Sequence, residues 1–561
     1  MMRSLVVVLA LAACGGNATP DTPQAPEIGE DGIELLTARR QLIRLSIDLR
    51  GTHPSQADLD FIQEYPDAYE EYADRYLHDR RFTKRMMEIW NRSFRTRTGE
   101  TYFDPAEAGL EETSEDIVAD SIGDEPLRLI AHVVDNDLPW SEVLTADYSM
   151  ADPIVAAMWG LDYPEGAEGW QKVQYQDGRP LAGVLSSTTM WLKYPSAGIN
   201  SNRHRANTVS RIFMCDDYLS RPVEFSRSQI DALVGGDPNE LIAKTQLCQS
   251  CHSTLDPAGS HFYGFWWEVE GGLVDQTTYR PEDEPLWREI TGTSPAFYGT
   301  PTSGLKEMAH HLAADERTLD CAVETVFNGI TQRDRSDEDW DEVWTHRQAF
   351  ADGGLTMRAL VKSIVMSRTY RAGAIHDVTL GDRVPVLKTV TPAQLEGIVY
   401  DKTGYRWNIR GRAALDRNAI GLAVLAGGTD SVFVHEPNSD PSVGLVFVQE
   451  RLAQAAAYHV ASHDLAKDRE DDAVLLRYVT RRDTPESNRD IFRVQIEQLY
   501  LEVTGNTLPI PVDTDGVEGE PPEVAELIVL WKQLHSVNAN PEMAWAGVLS
   551  VVLRDPEVIF Y

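Results

Sequence analysis

The sequence predicts a mainly α fold divided into several helical domains. Three observations carry this expectation. Apolar residues recur at three- and four-residue steps through much of the chain, strand-like alternation is sparse, and helix start and stop signals bracket the apolar runs. The 561 residues are 42% hydrophobic and 25% charged, a composition suited to about two to four globular domains. No fixed-period repeat is visible.

In chain order, Met1-Met2-Arg3, the apolar run Leu5 to Leu11 and then Leu11-Ala12-Ala13-Cys14 read as an export signal, because the apolar core is too short to span a bilayer. Leu-Ala-Ala-Cys resembles a lipobox, so residues 1–13 are expected to be a lipoprotein signal peptide and Cys14 the lipidated terminus. Residues 14–30 have the composition of a disordered tether. A helical N-terminal domain is expected over 31–160, where Leu35, Leu42, Leu45 and Leu49 form an apolar stripe beside Ile33, Ile43 and Ile47. Gly51 follows as its stop, and Ser55 starts another run with Asp58 three residues on. A central domain is expected over 180–375 and a helical C-terminal domain over 389–561. In the latter, Thr391-Pro392-Ala393-Gln394 reads as a capping box, and Asn540-Pro541-Glu542 opens a helix carrying Trp545, Val548, Leu549 and Val552. The best strand signals lie around Gly272–Tyr279 and Ser431–Val434.

The central domain contains the most informative run, Cys248-Gln249-Ser250-Cys251-His252. This is the attachment sequence of a c-type haem: two cysteine sulfurs form thioethers to the porphyrin vinyls, and the adjacent histidine ligates the iron. With 5 Cys and 14 His in the chain, chance produces such a pattern roughly once in a thousand sequences of this kind. A zinc half-site would want a second Cys/His pair nearby, and a redox C-x-x-C would want a βαβ context; neither is present. The expected cofactor is therefore one covalent haem c, making this a mainly α protein with a c-type haem module in the centre. If Cys14 takes lipid and Cys248 and Cys251 take haem, Cys215 and Cys321 remain to pair as a disulfide in an oxidising compartment.

Residues around the motif resemble a known family. Cys248-Gln-Ser-Cys-His252-Ser-Thr-Leu255-Asp256-Pro257-Ala-Gly259 is similar to the C-x-x-C-H-x-x-(I/L)-D-P-x-G signature of exported cytochrome c-like proteins of planctomycetes and myxobacteria. Leu42 to Gly51, Leu144-Thr145-Ala146-Asp147-Tyr148, and Gly304 to Ala309 followed by Cys321 resemble further motifs of these multi-domain proteins. The likeness is thin after residue 380. It implies covalent haem and a periplasmic or cell-surface setting, and it implies no substrate.

Within the motif, Asp256-Pro257 is expected to stop the helix soon after His252, and Gly259 to permit a reversal. The aromatic run His261-Phe262-Tyr263-Gly264-Phe265-Trp266-Trp267 reads either as a wall around a porphyrin or as ordinary core. Met308, 56 residues beyond His252, is the candidate distal ligand, although it shares an apolar stripe with Leu305 and Leu312. His261, His310, His311, Met190 and His204 are weaker candidates. Glu111, Glu112, Glu115 and Asp116 read as a solvated face. The loop His435–Asp440 offers oxygen donors suited to calcium but lacks a recognised spacing.

The formal charge of −37 argues against nucleic-acid partners and leaves the N-terminal lipid as the expected membrane contact. The leading expectation is a membrane-tethered mono-haem protein that passes electrons to a redox partner or small donor or acceptor. The alternatives are a haem peroxidase-like enzyme, and a scaffold with structural haem whose flanking domains bind carbohydrate or protein.

Overall fold

The computed structural model describes residues 28–196, 200–222, 245–265, 278–466, 472–512 and 519–561, with a few positions between 227 and 274. The signal segment and Cys14 lie outside the described residues. Among the described residues helices hold 59% and strands 5%, as the apolar periodicity predicts. The chain divides into two compact units. One contains the residues up to Tyr76, Val365–Gly428 and Asn438–Tyr561; the other contains Leu77–Ile364 and Thr429–Pro437. These units cut across the expected segments 31–160, 180–375 and 389–561.

In the first unit, the helix Ala38–Arg50 starts at Thr37, whose side chain accepts from the Arg40 amide, and stops at Gly51 with φ 70°. Leu42, Leu45 and Leu49 are buried on it, as the stripe predicts. Ile33 and Leu35 are not part of that helix. They form a short strand, Ile33–Leu35, antiparallel to Ala372–Ile375, because residues 372–375 supply an edge to pair with. Ser55 caps the next helix, Gln56–Glu64, and Thr391 with Gln394 forms a reciprocal capping box. The last long helices, Val443–Asp464, Pro522–Asn538 and Pro541–Val552, pack side by side. Phe492, Trp531 and Trp545 meet in their core, with Phe492 centroids 5.1 and 4.9 Å from the two indoles.

This unit is cross-tied through buried charge. Asp48 accepts from Lys388 Nζ at 2.6 Å, Tyr370 Oη at 2.7 Å and Tyr561 Oη at 2.6 Å. One turn earlier, Arg44 donates to the carbonyls of Tyr370, Ala372 and Val386. Asp48, Lys388 and Arg44 are all almost fully buried, so each charge needs these partners to offset its lost hydration. The motif Leu42 to Gly51 thus holds three distant parts of the sequence at one helix.

In the second unit, the helices Arg80–Phe94 and Glu115–Asp135 pack together. Buried Glu125 accepts from Tyr175 Oη at 2.6 Å, Trp159 Nε1 at 3.2 Å and Thr189 Oγ1 at 2.5 Å. The helix Arg203–Met214 packs against both Gln246–Gly259 and Glu316–Thr331. Of the expected strands, residues 269–270 pair with 273–274, and most of the surrounding segment lies outside the described residues. Ser431–Val434 is not a strand. Asp430 Oδ1 accepts from the amides of Val432, Phe433 and Val434, each at 2.8 Å, and this gathers the backbone into a turn.

Asp48→Ala removes the carboxylate shared by Lys388, Tyr370 and Tyr561 in the interior and should lower stability by about 3–5 kcal/mol in urea unfolding. His53 is buried with neither ring nitrogen hydrogen-bonded among the described residues, and burial, with Lys402 nearby, pushes its pKa down to about 3. Its neutral form is thus favoured by folding, so stability is full above pH 6.5 and falls as the pH drops from there toward 3. The slope should approach about 1.4 kcal/mol per pH unit. Denaturant midpoints between pH 7 and 4 should flatten in His53→Gln; equal slopes would refute the assignment.

Candidate functional site

Cys248, Cys251 and His252 lie on one helix, Gln246–Gly259. On a helix, residues three and four apart are neighbours, so Cys248 faces both Cys251 and His252 one turn on, and His252 faces Asp256. Both thiols are free and partly buried. The helix does not end at Asp256. Pro257 is inside it and the last residue is Gly259. Asp256 is tied on two sides, which holds it helical despite the following proline. Gly259 serves close approach rather than reversal: a Cβ there would sit 3.1 Å from the Ser201 carbonyl oxygen.

His252 Nδ1 lies 3.0 Å from Asp256 Oδ1. Arg203 clamps the same carboxylate, Nε to Oδ1 at 2.6 Å and Nη2 to Oδ2 at 3.0 Å. Burial opposes ionisation of Asp256, but the hydrogen bonds from His252 and Arg203 outweigh it and hold the carboxyl below the usual carboxylate range. An ionised carboxylate accepts only, so the proton of this contact belongs to Nδ1 and the lone pair of a neutral ring to Nε2. The His252 side chain remains 23% exposed. The donor set therefore suits a c-type haem: two thiols and a histidine one helical turn apart, with the histidine oriented through its far nitrogen.

The second arginine of the same helix, Arg205, is buried and donates to the carbonyls of Tyr194 at 3.0 Å and Phe265 at 2.7 Å. Burial pushes its pKa down to about 9. It fixes the aromatic segment after the motif, Ser260–Phe265, in which every residue is buried. Phe262 packs on Trp191 with centroids 4.7 Å apart, and Phe265 on Tyr279 at 4.8 Å. Trp266 and Trp267 lie outside the described residues.

No family model, curated protein or solved structure matches this chain.

Met308 lies in the helix Leu305–Ala314, in a buried stripe with Leu305, Ala309 and Leu312. It lines a small apolar void together with Thr254, Leu255 and Ala258 of the motif helix, and with Tyr218 and Phe262. The void measures about 20 Å³, room for about one water and far less than a macrocycle needs. The other candidates are engaged or remote. His261 uses both nitrogens, on the Ala258 carbonyl at 2.9 Å and Thr302 Oγ1 at 2.5 Å, and burial pushes its pKa down to about 4. His311 stacks on Phe297, His204 packs edge-on to Tyr194, His310 is exposed, and Met190 is core.

Elsewhere, Glu111, Glu112 and Glu115 are exposed. His435 and Glu436 of the calcium-like loop meet Arg95, at 3.2 and 3.4 Å. Among the described residues no group of three or more His, Cys, Asp or Glu is arranged to hold a metal ion, and no helix is long and apolar enough to cross a membrane.

In the sequence Asp256 reads as a helix stop, and Arg203 carries no mark of a role at the motif. The four-residue step from His252 to Asp256 is a signal for the first; no local signal exists for an arginine 53 residues upstream. Cys215 and Cys321 are joined, with Cα atoms 5.2 Å apart. The bond ties the end of Arg203–Met214 to Glu316–Thr331 and closes a 106-residue span around the motif. Replacing both cysteines by alanine should destabilise this unit by about 2–4 kcal/mol, read as a lower denaturant midpoint. A non-reducing peptide map should recover the Cys215–Cys321 pair.

Proposed function

We propose that this chain is a membrane-tethered, mono-haem c-type protein that transfers electrons in the periplasm or at the cell surface. The observation that carries the reading is the helix Gln246–Gly259, on which two free thiols and a carboxylate-oriented histidine lie one turn apart. The resemblance of Cys248 to Gly259 to exported cytochrome c-like proteins supports it, as does the pairing of Cys215 with Cys321, which leaves Cys248 and Cys251 for thioethers.

A bound haem c supplies a one-electron iron couple. Cys248 and Cys251 would tether it. His252 would ligate the iron through Nε2, with Nδ1 occupied by Asp256. The candidate opposite ligand, Met308, faces Thr254, Leu255 and Ala258 of the motif helix across a water-sized void that does not admit a macrocycle, so the arrangement gives it no support beyond its nearness to that helix. Cys14 would carry the lipid that holds the chain at the membrane.

The test is an optical spectrum of the full chain made in a host that matures c-type cytochromes. A reduced c-type α-band that survives denaturing electrophoresis and reports low-spin iron is expected. His252→Ala should lose the low-spin signature, and Cys248→Ala/Cys251→Ala should lose the covalent haem. Wild-type protein without covalent haem would end the reading; high-spin iron would move it toward a haem enzyme.

A further inference from the structure

Asp256 is more than a helix residue with a satisfied charge. It is buried at 8% exposure, yet its two oxygens are shared between a ring nitrogen and a guanidinium. The two contacts on Oδ1, 3.0 Å to His252 and 2.6 Å to Arg203, converge on one atom. Arg203 belongs to a different helix, packed against the motif helix, so the acid is held by tertiary structure as well as by its own backbone. The main-chain frame is also tight there, since Gly259 lies against the Ser201 and Asn202 backbone. His252 cannot rotate about its side chain without breaking a charge-assisted hydrogen bond that is mostly shielded from water.

Resting on the haem reading above, we propose that Asp256, locked by Arg203, is a positioning residue that fixes the tautomer and ring orientation of His252 and makes its Nε2 a stronger donor, so that the bound iron is poised at low potential. A carboxylate accepting the Nδ1–H pulls that proton away from the ring and leaves more electron density on Nε2. A more electron-rich ligand favours ferric over ferrous iron. The partner such a site suits is an acceptor of higher potential, and the chain would act as the donor in the exchange of one electron.

Two measurements test this on the full chain. In haem-loaded protein, Asp256→Asn keeps an oxygen acceptor for Nδ1 but removes the charge. A mediated redox titration should then show a midpoint higher by about a tenfold shift in the Fe(II)/Fe(III) equilibrium, about 59 mV for one electron, with the α-band retained. Arg203→Met/Asp256→Asn removes both charges of the pair together, serves if the single variant folds poorly, and should shift the midpoint the same way. In full-length protein expressed without haem maturation, ¹⁵N shifts of His252 should report the Nδ1–H form, and Asp256→Leu should lose that bias. An unchanged midpoint in both variants, or a wild-type ring protonated on Nε2 alone, overturns the proposal. Wild type that never acquires haem would defeat the cytochrome reading, and the ¹⁵N measurement would still decide whether Asp256 positions His252.

Discussion

A guanidinium buried in protein must find an acceptor for its N–H groups or forfeit several kcal/mol of hydration. The motif region is arranged around that constraint. Arg203 and Arg205 project from one helix two residues apart. The first meets the carboxylate of Asp256, and the second reaches carbonyls on either side of it in sequence, at Tyr194 and Phe265. Between them they set the place of the Cys-x-x-Cys-His helix and of the aromatic segment that follows. Gly264 adds a steric condition, because a Cβ there would fall 2.2 Å from the Tyr279 ring.

The other unit uses the same physics with different chemistry. Arg44 and Asp48 sit one turn apart on the Ala38–Arg50 helix and draw in Tyr370, Lys388 and Tyr561. Burial and the nearby Asp48 charge push the Tyr370 hydroxyl well above its ordinary pKa, so it acts as a donor. Each unit is therefore specified by a few ionic contacts that tolerate little change, set within a helical core that tolerates more.

These contacts bear on function through one residue. His252 adjoins the two free thiols, and the carboxylate that orients it is itself clamped from a helix that the motif does not contain. The apolar void beside Met308 is water-sized. On the open side of the motif helix His252 keeps 23% of its side-chain surface, and the aromatic segment Ser260–Phe265 serves the core through Trp191 and Tyr279.

By itself the sequence determined the helical class, the stop at Gly51, the caps at Ser55, Thr391 and Asn540, and the pairing of Cys215 with Cys321. The stop and the caps follow from local backbone chemistry, and the pair from the small number of cysteines, although its two members are 106 residues apart. Tertiary structure decided the rest. Ile33 and Leu35 became a strand because residues 372–375 offer an edge, and Ser431–Val434 became a turn because Asp430 captures three amides. The helix ran through Pro257 because Arg203 and His252 hold Asp256 in place. Partners separated by 53 residues at the motif and by more than 300 around Asp48 leave no periodic trace in the sequence. They are chosen by burial, which exists only once the chain has folded.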